Sequence, residues 1–214
     1  ERRFWLLLPV VPLSFVPAFL TLNRGMFIGL GVAFAYILIR LVLHRNVRAI
    51  LALGGIAVLA AVALTTLPIA ERLTERVGSS SSTEDRASLY VEAFERTLDQ
   101  PVFGYGAPRP SETPGAPSVG TQGQFWMVMF SHGFPGVALF MGWLAWAYFR
   151  SVRERDPVGL ACNTVLLLTL VESLYYGIMT TGLMVAMLAA ALALRPEDAA
   201  EPVARLPETA SRAR

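Results

Sequence analysis

The sequence predicts an all-α integral membrane protein of about six transmembrane helices with one large extracytoplasmic loop. Hydrophobic residues make up 54% of the 214 residues and charged residues only 16%, well below the roughly one-quarter charged content of soluble domains. The mean hydropathy is +0.51. Six apolar runs approach the roughly twenty residues that a membrane-crossing helix needs. A polar segment, residues 69–124, separates the third run from the fourth, and we call it the central loop.

The six predicted spans divide the chain in order. The first contains Pro9, Pro12 and Pro17, which would kink it, and membrane helices tolerate such prolines when neighbouring helices satisfy the freed carbonyls. The last two lie so close in sequence that we expect a tight hairpin between them. The spans are residues 4–22, 26–43, 49–68, 125–149, 158–176 and 178–194. The chain is thus expected to place three helices in 1–68, the central loop in 69–124, three helices in 125–194 and a disordered cytoplasmic tail in 195–214.

The arginines predict the orientation of these spans. All 18 basic residues are arginine, and basic residues are retained on the cytoplasmic side of short connections. One such connection carries Arg45 and Arg48, and another carries Arg150, Arg153 and Arg155. Both connections are cytoplasmic if the N-terminus is cytoplasmic, so this orientation satisfies the rule. The central loop then faces the periplasm or cell exterior. Because the start of the chain runs straight into an apolar segment without a signal-peptide cleavage site, we expect the later part of a longer membrane protein.

A helix at about 84–99 is expected within the central loop. Ser82 or Thr83 can cap its N-terminus, and the acidic residue at 85 fits a capping pattern. Apolar residues recur at helical spacing and would pack this helix onto the membrane domain; they are Ala87, Tyr90, Val91, Phe94 and Leu98. Pro101 ends the helix. The proline-rich segment 108–119 is either a plain connector or a gating loop.

Arg86 lies in the first turn of that helix, where a cation is disfavoured by a few tenths of a kcal/mol. An anion bound at the helix N-terminus would reverse this effect. The alternative is a surface ion pair with Glu84 or Asp85. The central loop has eight acidic residues and five arginines, so it carries no diffuse basic patch, and nucleic-acid binding is disfavoured.

Two further chemical features follow from the sequence. Cys162 is the only cysteine, and His44 and His132 are far apart, so neither a disulfide framework nor a metal site is implied.

Glu172 lies near the outer end of the fifth predicted span. An intramembrane carboxylate is a functional-site hypothesis by default; the alternative is an ion pair with a buried arginine such as Arg24.

Four short motifs resemble, in order, those of the O-antigen ligase and Wzy-type polymerase superfamily. The family patterns are T-x-S-R-G, G-R-x-x-x-W, hP-l-x-G-x-G and G-l-l-G. The corresponding segments here are LTLNRG at 20–25, DRASLY at 85–90, QPVFGYG at 100–106 and GFPG at 133–136. Each motif is weak alone, and their order together with the topology makes the resemblance specific. It covers about residues 4–194, the C-terminal half of the family's usual chain.

The resemblance implies an all-helical, lipid-dependent glycosyltransferase fold of the GT-C-like type that needs no metal or cofactor. Its members transfer a glycan from a polyprenyl-pyrophosphate carrier to an acceptor on the outer face of the cytoplasmic membrane. Ligases use a lipid acceptor, and polymerases use another carrier-linked repeat unit. Carried over by position, Arg24 and Arg86 would hold the pyrophosphate. Preorganised guanidinium groups would stabilise the charge that the leaving group gains.

One position departs from the family. The pattern H-N-x-Y-L falls on residues 122–126, so Gln122 replaces the expected histidine. Glutamine cannot act as a general base, although it can orient an acceptor hydroxyl. We assign Gln122 and Glu172 as candidate catalytic residues.

Three functions remain open at this stage. The first is an active transferase in envelope polysaccharide biosynthesis, the second a noncatalytic membrane partner of that pathway, and the third a polysaccharide or lipid transporter. The transporter is weakened because the spans have no evident internal repeat. The expected partners are a lipid-linked oligosaccharide, membrane lipid, a glycan acceptor and other membrane proteins of the pathway. The expected location is the cytoplasmic membrane, crossed several times.

Overall fold

The computed structural model describes residues 24–66, 82–153, 156–178 and 180–195. Within these ranges the chain forms six α-helices and, apart from one bridging pair between Arg109 and Val119, no β-structure. The helices are α1 Arg24–Leu43, α2 Val47–Thr66, α3 Ser82–Asp99, α4 Gln124–Ser151, α5 Pro157–Glu172 and α6 Thr180–Ala193. The first predicted span, residues 67–81 and the tail from 196 lie outside the described residues.

The helices outside the central loop begin within two residues of the predicted spans. Two of the described helices, α1 and α4, have the length and apolarity to cross a membrane, with windows of hydropathy 2.3 and 1.3. The apolar helices α5 and α6 are shorter, with 16 and 14 residues. The fifth predicted span was expected to reach Tyr176, but α5 ends at Glu172. The next residues leave the helix to bind the start of α4.

Helix α5 lies at the centre of the packing, since it contacts α1, α4 and α6. Small side chains dominate the contact of α5 and α6 with α4, and they let apolar helices approach closely. This cluster consists of Ala147, Cys162, Leu166, Ala189, Ala190 and Ala193.

A buried polar cluster joins α1, α4 and α5 at the end opposite the site described below. The Asn163 Nδ2 donates to Ser151 Oγ at 2.8 Å and to the Tyr148 carbonyl at 2.9 Å. Its Oδ1 accepts from the Tyr36 hydroxyl, which in turn accepts from Arg40 Nη1 at 3.0 Å. Buried polar groups are costly without such partners, so this cluster fixes the register of the three helices.

Helix α4 is kinked at Gly133, whose φ of 69° and ψ of −173° are non-helical. The Phe134 N–H donates to the Pro101 carbonyl at 2.8 Å, and the Tyr105 N–H donates to the Phe130 carbonyl at 2.8 Å. A third bond joins the N–H of residue 106 to the carbonyl of residue 131 at 3.0 Å. The central loop therefore supplies hydrogen-bond partners where the helix interrupts its own.

The central loop and α4 approach each other closely at this kink, and both segments need a glycine there. A Cβ on Gly104 would lie 2.5 Å from the Phe130 carbonyl oxygen, and a Cβ on Gly133 would overlap the Pro101 carbonyl. Both glycines also have positive φ, 65° and 69°, which disfavours other residues. Steric demand thus accounts for Gly104 in the third sequence motif and Gly133 in the fourth.

The predicted packing face of α3 is correct only in part: Tyr90 and Phe94 contact Trp126 and Phe134 of α4, whereas the rest of the predicted face is exposed. Leu89, Ala93 and Thr97 are buried, whereas Val91, Phe94 and Leu98 are 57%, 45% and 54% exposed. Leu89 and Ala93 pack with Val119 and Phe130. Both stripes recur at helical spacing, so periodicity does not decide which one faces the protein. The small side chains of Ala93 and Thr97 determine which stripe is buried, because they allow α4 to approach closely.

Candidate functional site

The candidate site is built around residues 173–178, which follow α5 and which we call the α5–α6 connector. Its first turn is tight, since the N–H groups of Tyr175 and Tyr176 donate to the Glu172 carbonyl at 3.0 and 2.7 Å. Ser173 is buried and donates its hydroxyl to the Leu170 carbonyl at 2.7 Å. The connector therefore continues directly from the last turn of α5 and holds its carbonyls in fixed positions.

The start of α4 docks on this connector. The Phe125 N–H donates to the Ser173 carbonyl at 2.9 Å, and the Gln124 N–H donates to the Tyr176 carbonyl at 2.8 Å. The Gln124 side chain accepts from the Ile178 N–H at 2.9 Å. The first N–H groups of a helix have no partner within it. Here two of them are satisfied by the connector, which ties α4 to the end of α5.

Gln122 lies beside this junction. It is half-buried, and its Nε2 is 3.5 Å from Thr121 Oγ1, at the limit of a hydrogen bond. The next residue, Gly123, has φ 74°, and a Cβ there would lie 2.8 Å from the Leu174 carbonyl oxygen. The backbone of 122–123 thus packs against the connector. The Gln122 amide keeps donor and acceptor capacity for a ligand.

Glu172 is the last residue of α5 and is half-buried. A Cβ on Gly29 of α1 would lie 2.5 Å from the Glu172 Oε1, so the carboxylate occupies space that exists because residue 29 has no side chain. The carboxylate also lines a groove of about 580 Å³ between α5 and α6, whose wall is mainly apolar. No ion pair with Glu172 occurs among the described side chains.

The start of α1 reaches the same connector. A Cβ on Gly25 would overlap the Tyr176 ring, and the Tyr175 hydroxyl donates to the Gly25 carbonyl at 3.4 Å. Arg24 is the first residue of α1, so its backbone lies beside the connector. Its side chain is outside the described part of the chain, and so is any ion pair between Arg24 and Glu172.

Arg86 is exposed one turn before Tyr90 on α3. Burial raises the pKa of the Tyr90 hydroxyl, and the nearby Arg86 guanidinium offsets part of the rise. The Tyr90 ring stacks on Trp126, with centroids 4.7 Å apart and planes 9° from parallel. Trp126 Nε1 donates to the Leu174 carbonyl at 3.0 Å. These contacts connect α3, one turn after Arg86, to the connector through two aromatic rings.

Glu92 and Arg96 hold the proline-rich part of the central loop against α3. Glu92 accepts from the Ser111 hydroxyl and the Glu112 N–H, and Arg96 donates to Glu92 at 3.2 Å and to the Pro110 carbonyl at 2.9 Å. Burial alone would raise the pKa of Glu92, but these hydrogen bonds and the Arg96 charge outweigh it and lower the pKa. Segment 108–119 is therefore anchored at several points. This favours its interpretation as a plain connecting loop over a gating loop.

A sequence model of the O-antigen ligase family matches residues 9–141. This chain belongs to the O-antigen ligase family. The match covers more than half of the chain and includes all four sequence motifs, so the predicted resemblance is confirmed. No curated protein and no solved structure matches the chain. Family membership identifies a membrane protein of polysaccharide biosynthesis, related to glycosyltransferase-like ligases that use lipid-linked glycans.

In this O-antigen ligase family member, sequence reasoning missed Gln124 and Trp126. Gln124 is the first residue of α4 and follows the N-cap Gly123, and nothing in the local sequence indicates that its side chain binds the Ile178 N–H. Trp126 has the sequence signature of an interfacial aromatic, and nothing local indicates its bond to a residue 48 positions later. Among the described residues no group of three or more His, Cys, Asp or Glu side chains could hold a metal ion.

Proposed function

We propose that this protein transfers a glycan from a polyprenyl-pyrophosphate carrier to an acceptor at the outer face of the cytoplasmic membrane. The convergence of α1, α4 and α5 on the α5–α6 connector carries the proposal, because it gathers Gln122, Glu172 and the backbone of Arg24 at one end of the bundle. In the proposed topology the chain spans the membrane six times. The central loop and the connector face outward, and the tail 195–214 lies in the cytoplasm.

The donor would be held through its pyrophosphate. Arg86 is exposed near the N-terminal end of α3, where the helix dipole also favours an anion. Arg24 precedes Gly25, which packs against Tyr176 of the connector. Two guanidinium groups converging on the leaving pyrophosphate would stabilise the charge that develops when its bond to the sugar breaks.

The acceptor would be activated by the carboxylate and oriented by the amide. Its hydroxyl oxygen attacks the anomeric carbon, the bond from that carbon to the carrier pyrophosphate breaks, and the pyrophosphate leaves with the electron pair. The hydroxyl proton passes to Glu172, since Gln122 cannot accept it. Gln122 would hold the hydroxyl by hydrogen bonding. This division of roles compensates for the missing family histidine.

A second candidate rests on that same missing histidine. Without a base at position 122, the protein would bind the lipid-linked donor and assist a separate transferase. Deletion of the gene and complementation with single variants separates the two, with surface glycan length and attachment as the readout. We expect Arg86→Ala, Gln122→Ala and Glu172→Gln to fail to restore the glycan. For Arg86→Ala, the loss of one charge-stabilising group should lower the transfer rate roughly 100- to 1,000-fold.

The matched control is Arg109→Ala. Arg109 is also an exposed arginine of the central loop, and its described bonds to Val119 use only backbone atoms. It should restore the glycan fully. Full rescue by all three site variants would refute the enzymatic proposal, and rescue by Glu172→Gln and Gln122→Ala but not by Arg86→Ala would favour a donor-binding partner. Loss of long chains with single units still attached indicates a polymerase, and accumulation of carrier-linked chains indicates a ligase.

A further inference from the structure

Helix α3 has three distinct faces. Leu89, Ala93 and Thr97 face α4 and are buried, while Glu95 and Asp99 are exposed and acidic. The third face consists of Val91, Phe94 and Leu98, which at about 100° per residue fall within one stripe about 60° wide. These three side chains are exposed by 57%, 45% and 54%. Contacts with the rest of the protein bury the first face of α3 and leave most of its third, apolar face exposed.

Two more exposed apolar residues follow α3 in the sequence. Val102 is 54% exposed and Phe103 is 83% exposed, and both belong to the segment that binds the kink of α4. We call the set Val91, Phe94, Leu98, Val102 and Phe103 the apolar patch. Single exposed apolar side chains are ordinary on protein surfaces. Five large ones within thirteen residues of sequence indicate a surface that meets another apolar phase.

The position of the patch along α4 indicates which phase that is. The Phe94 ring contacts the edge of Phe134, with centroids 6.0 Å apart, and the Pro101 carbonyl binds the Phe134 N–H. From Phe134 to Ser151 there are 18 helical residues, about 27 Å at 1.5 Å each. This is close to the roughly 30 Å thickness of the hydrocarbon core. In the proposed topology Arg150 lies beside the inner boundary, which places Phe134 and the patch near the outer boundary.

We infer that the apolar patch inserts into the outer leaflet of the membrane, so that α3 lies in the interface with Glu95 and Asp99 toward water. This is how amphipathic helices bind membrane surfaces without crossing them. The occupant of the patch is lipid acyl chains, because the patch adjoins the membrane-spanning part of α4 and carries no charged residue. The inference rests on the topology given under the proposed function but not on the proposed transfer reaction, so spin labelling tests it separately from the glycan assay.

Site-directed spin labelling of the full chain tests this placement. The background is Cys162→Ala, which removes the single cysteine. Labels are introduced by Val91→Cys, Leu98→Cys and Phe103→Cys, with Glu95→Cys on the polar face as the matched control. The protein is reconstituted in phosphatidylethanolamine–phosphatidylglycerol vesicles. Collision rates are then measured with oxygen, which partitions into lipid, and with a water-soluble nickel chelate.

We expect the three patch labels to collide with oxygen several-fold more often, relative to the nickel chelate, than the Glu95→Cys label does. Equal nickel accessibility at the patch and at position 95 would place the patch in water and overturn the inference. Protection of the patch labels from both reagents would also overturn it, because a second copy or another protein would then cover the patch. All four positions are exposed, so the labels do not enter the core. Because three patch positions are labelled independently, the test remains valid if one variant does not fold.

Discussion

Trp126 of α4 donates its indole N–H to the Leu174 carbonyl of the α5–α6 connector while its ring stacks on Tyr90 of α3. One side chain thereby joins the central loop to the end of α5. The carbonyl it binds lies two residues after Glu172, and the stacked tyrosine lies one turn after Arg86. The relative position of the proposed donor-binding and proton-accepting groups therefore depends on this tryptophan.

Replacing Trp126 by Phe should keep most of the stacking and lose the hydrogen bond. We expect kcat/KM for the lipid-linked donor to fall about fivefold, the equivalent of about 1 kcal/mol for one hydrogen bond. The measurement is glycan transfer in proteoliposomes at varied donor concentration. The control Trp143→Phe changes a tryptophan of the same helix that is 37% exposed, and it should leave the rate unchanged. Equal rates for both variants would show that Trp126 does not position the site.

Gly29→Ala should displace the Glu172 carboxylate, because the added Cβ would lie 2.5 Å from Oε1. We expect kcat to fall roughly 10- to 100-fold with little change in KM for the donor, since misplacing a catalytic group mainly affects the chemical step. Gly31→Ala is the matched control, because a Cβ there meets no atom within 4 Å. An unchanged kcat in Gly29→Ala would argue against proton transfer to Glu172.

Gly133→Ala should destabilise the kink of α4 by about 1–3 kcal/mol, because its φ and ψ are accessible essentially only to glycine and its Cβ would overlap the Pro101 carbonyl. Thermal unfolding in detergent measures the loss. Gly142→Ala lies farther along the same helix with open space around it. It should be neutral or stabilising by up to about 1 kcal/mol through helix propensity. A melting temperature unchanged in Gly133→Ala would contradict the described kink.

The anchoring of segment 108–119 should weaken in acid. The folded-state pKa of Glu92 lies below its ordinary value of 4.5, so the ionised carboxylate stabilises the folded loop above pH 4.5, and this contribution is lost as the pH falls through the lower folded value. Amide exchange at Arg109 and Val119, compared at pH 6 and below pH 4.5, measures the change after correction for intrinsic exchange. Glu92→Gln should remove most of this dependence, and Glu95→Gln on the solvent side should preserve it. An identical pH dependence in both variants would exclude Glu92 as its source.

The helix positions could be predicted from the sequence because the length of an apolar run is a local property. The spans matching α1, α2, α4, α5 and α6 start within two residues of the helices found. The packing face of α3 was predicted only in part. Tyr90 and Phe94 do contact α4, but a second stripe with the same period is the buried one, and only the shape of α4 selects it. The early end of α5 was missed because the backbone of Tyr176 and Ser173 binds the start of α4, a contact about fifty residues away in sequence.

The candidate site was predictable as a set of residues but not as an arrangement. Gln122 and Glu172 were selected separately, one by comparison with a family pattern and one as a carboxylate in an apolar helix. Their proximity to the same connector follows from Gln124 and Gly123, whose contacts form only in the assembled bundle. Placement of the Arg24 and Glu172 side chains relative to each other stays a prediction, because the Arg24 side chain lies outside the described residues.

The hydrogen bonds at the kink of α4 also bear on how the protein is made. Tyr105 and Pro101 precede their partners Phe130 and Phe134 by about thirty residues, so only a short stretch of chain must close, at modest entropic cost. During synthesis the segment 101–106 leaves the ribosome before α4 does. Membrane insertion of α4 then supplies the surface on which that segment folds, which couples biogenesis of the span to completion of the domain outside it.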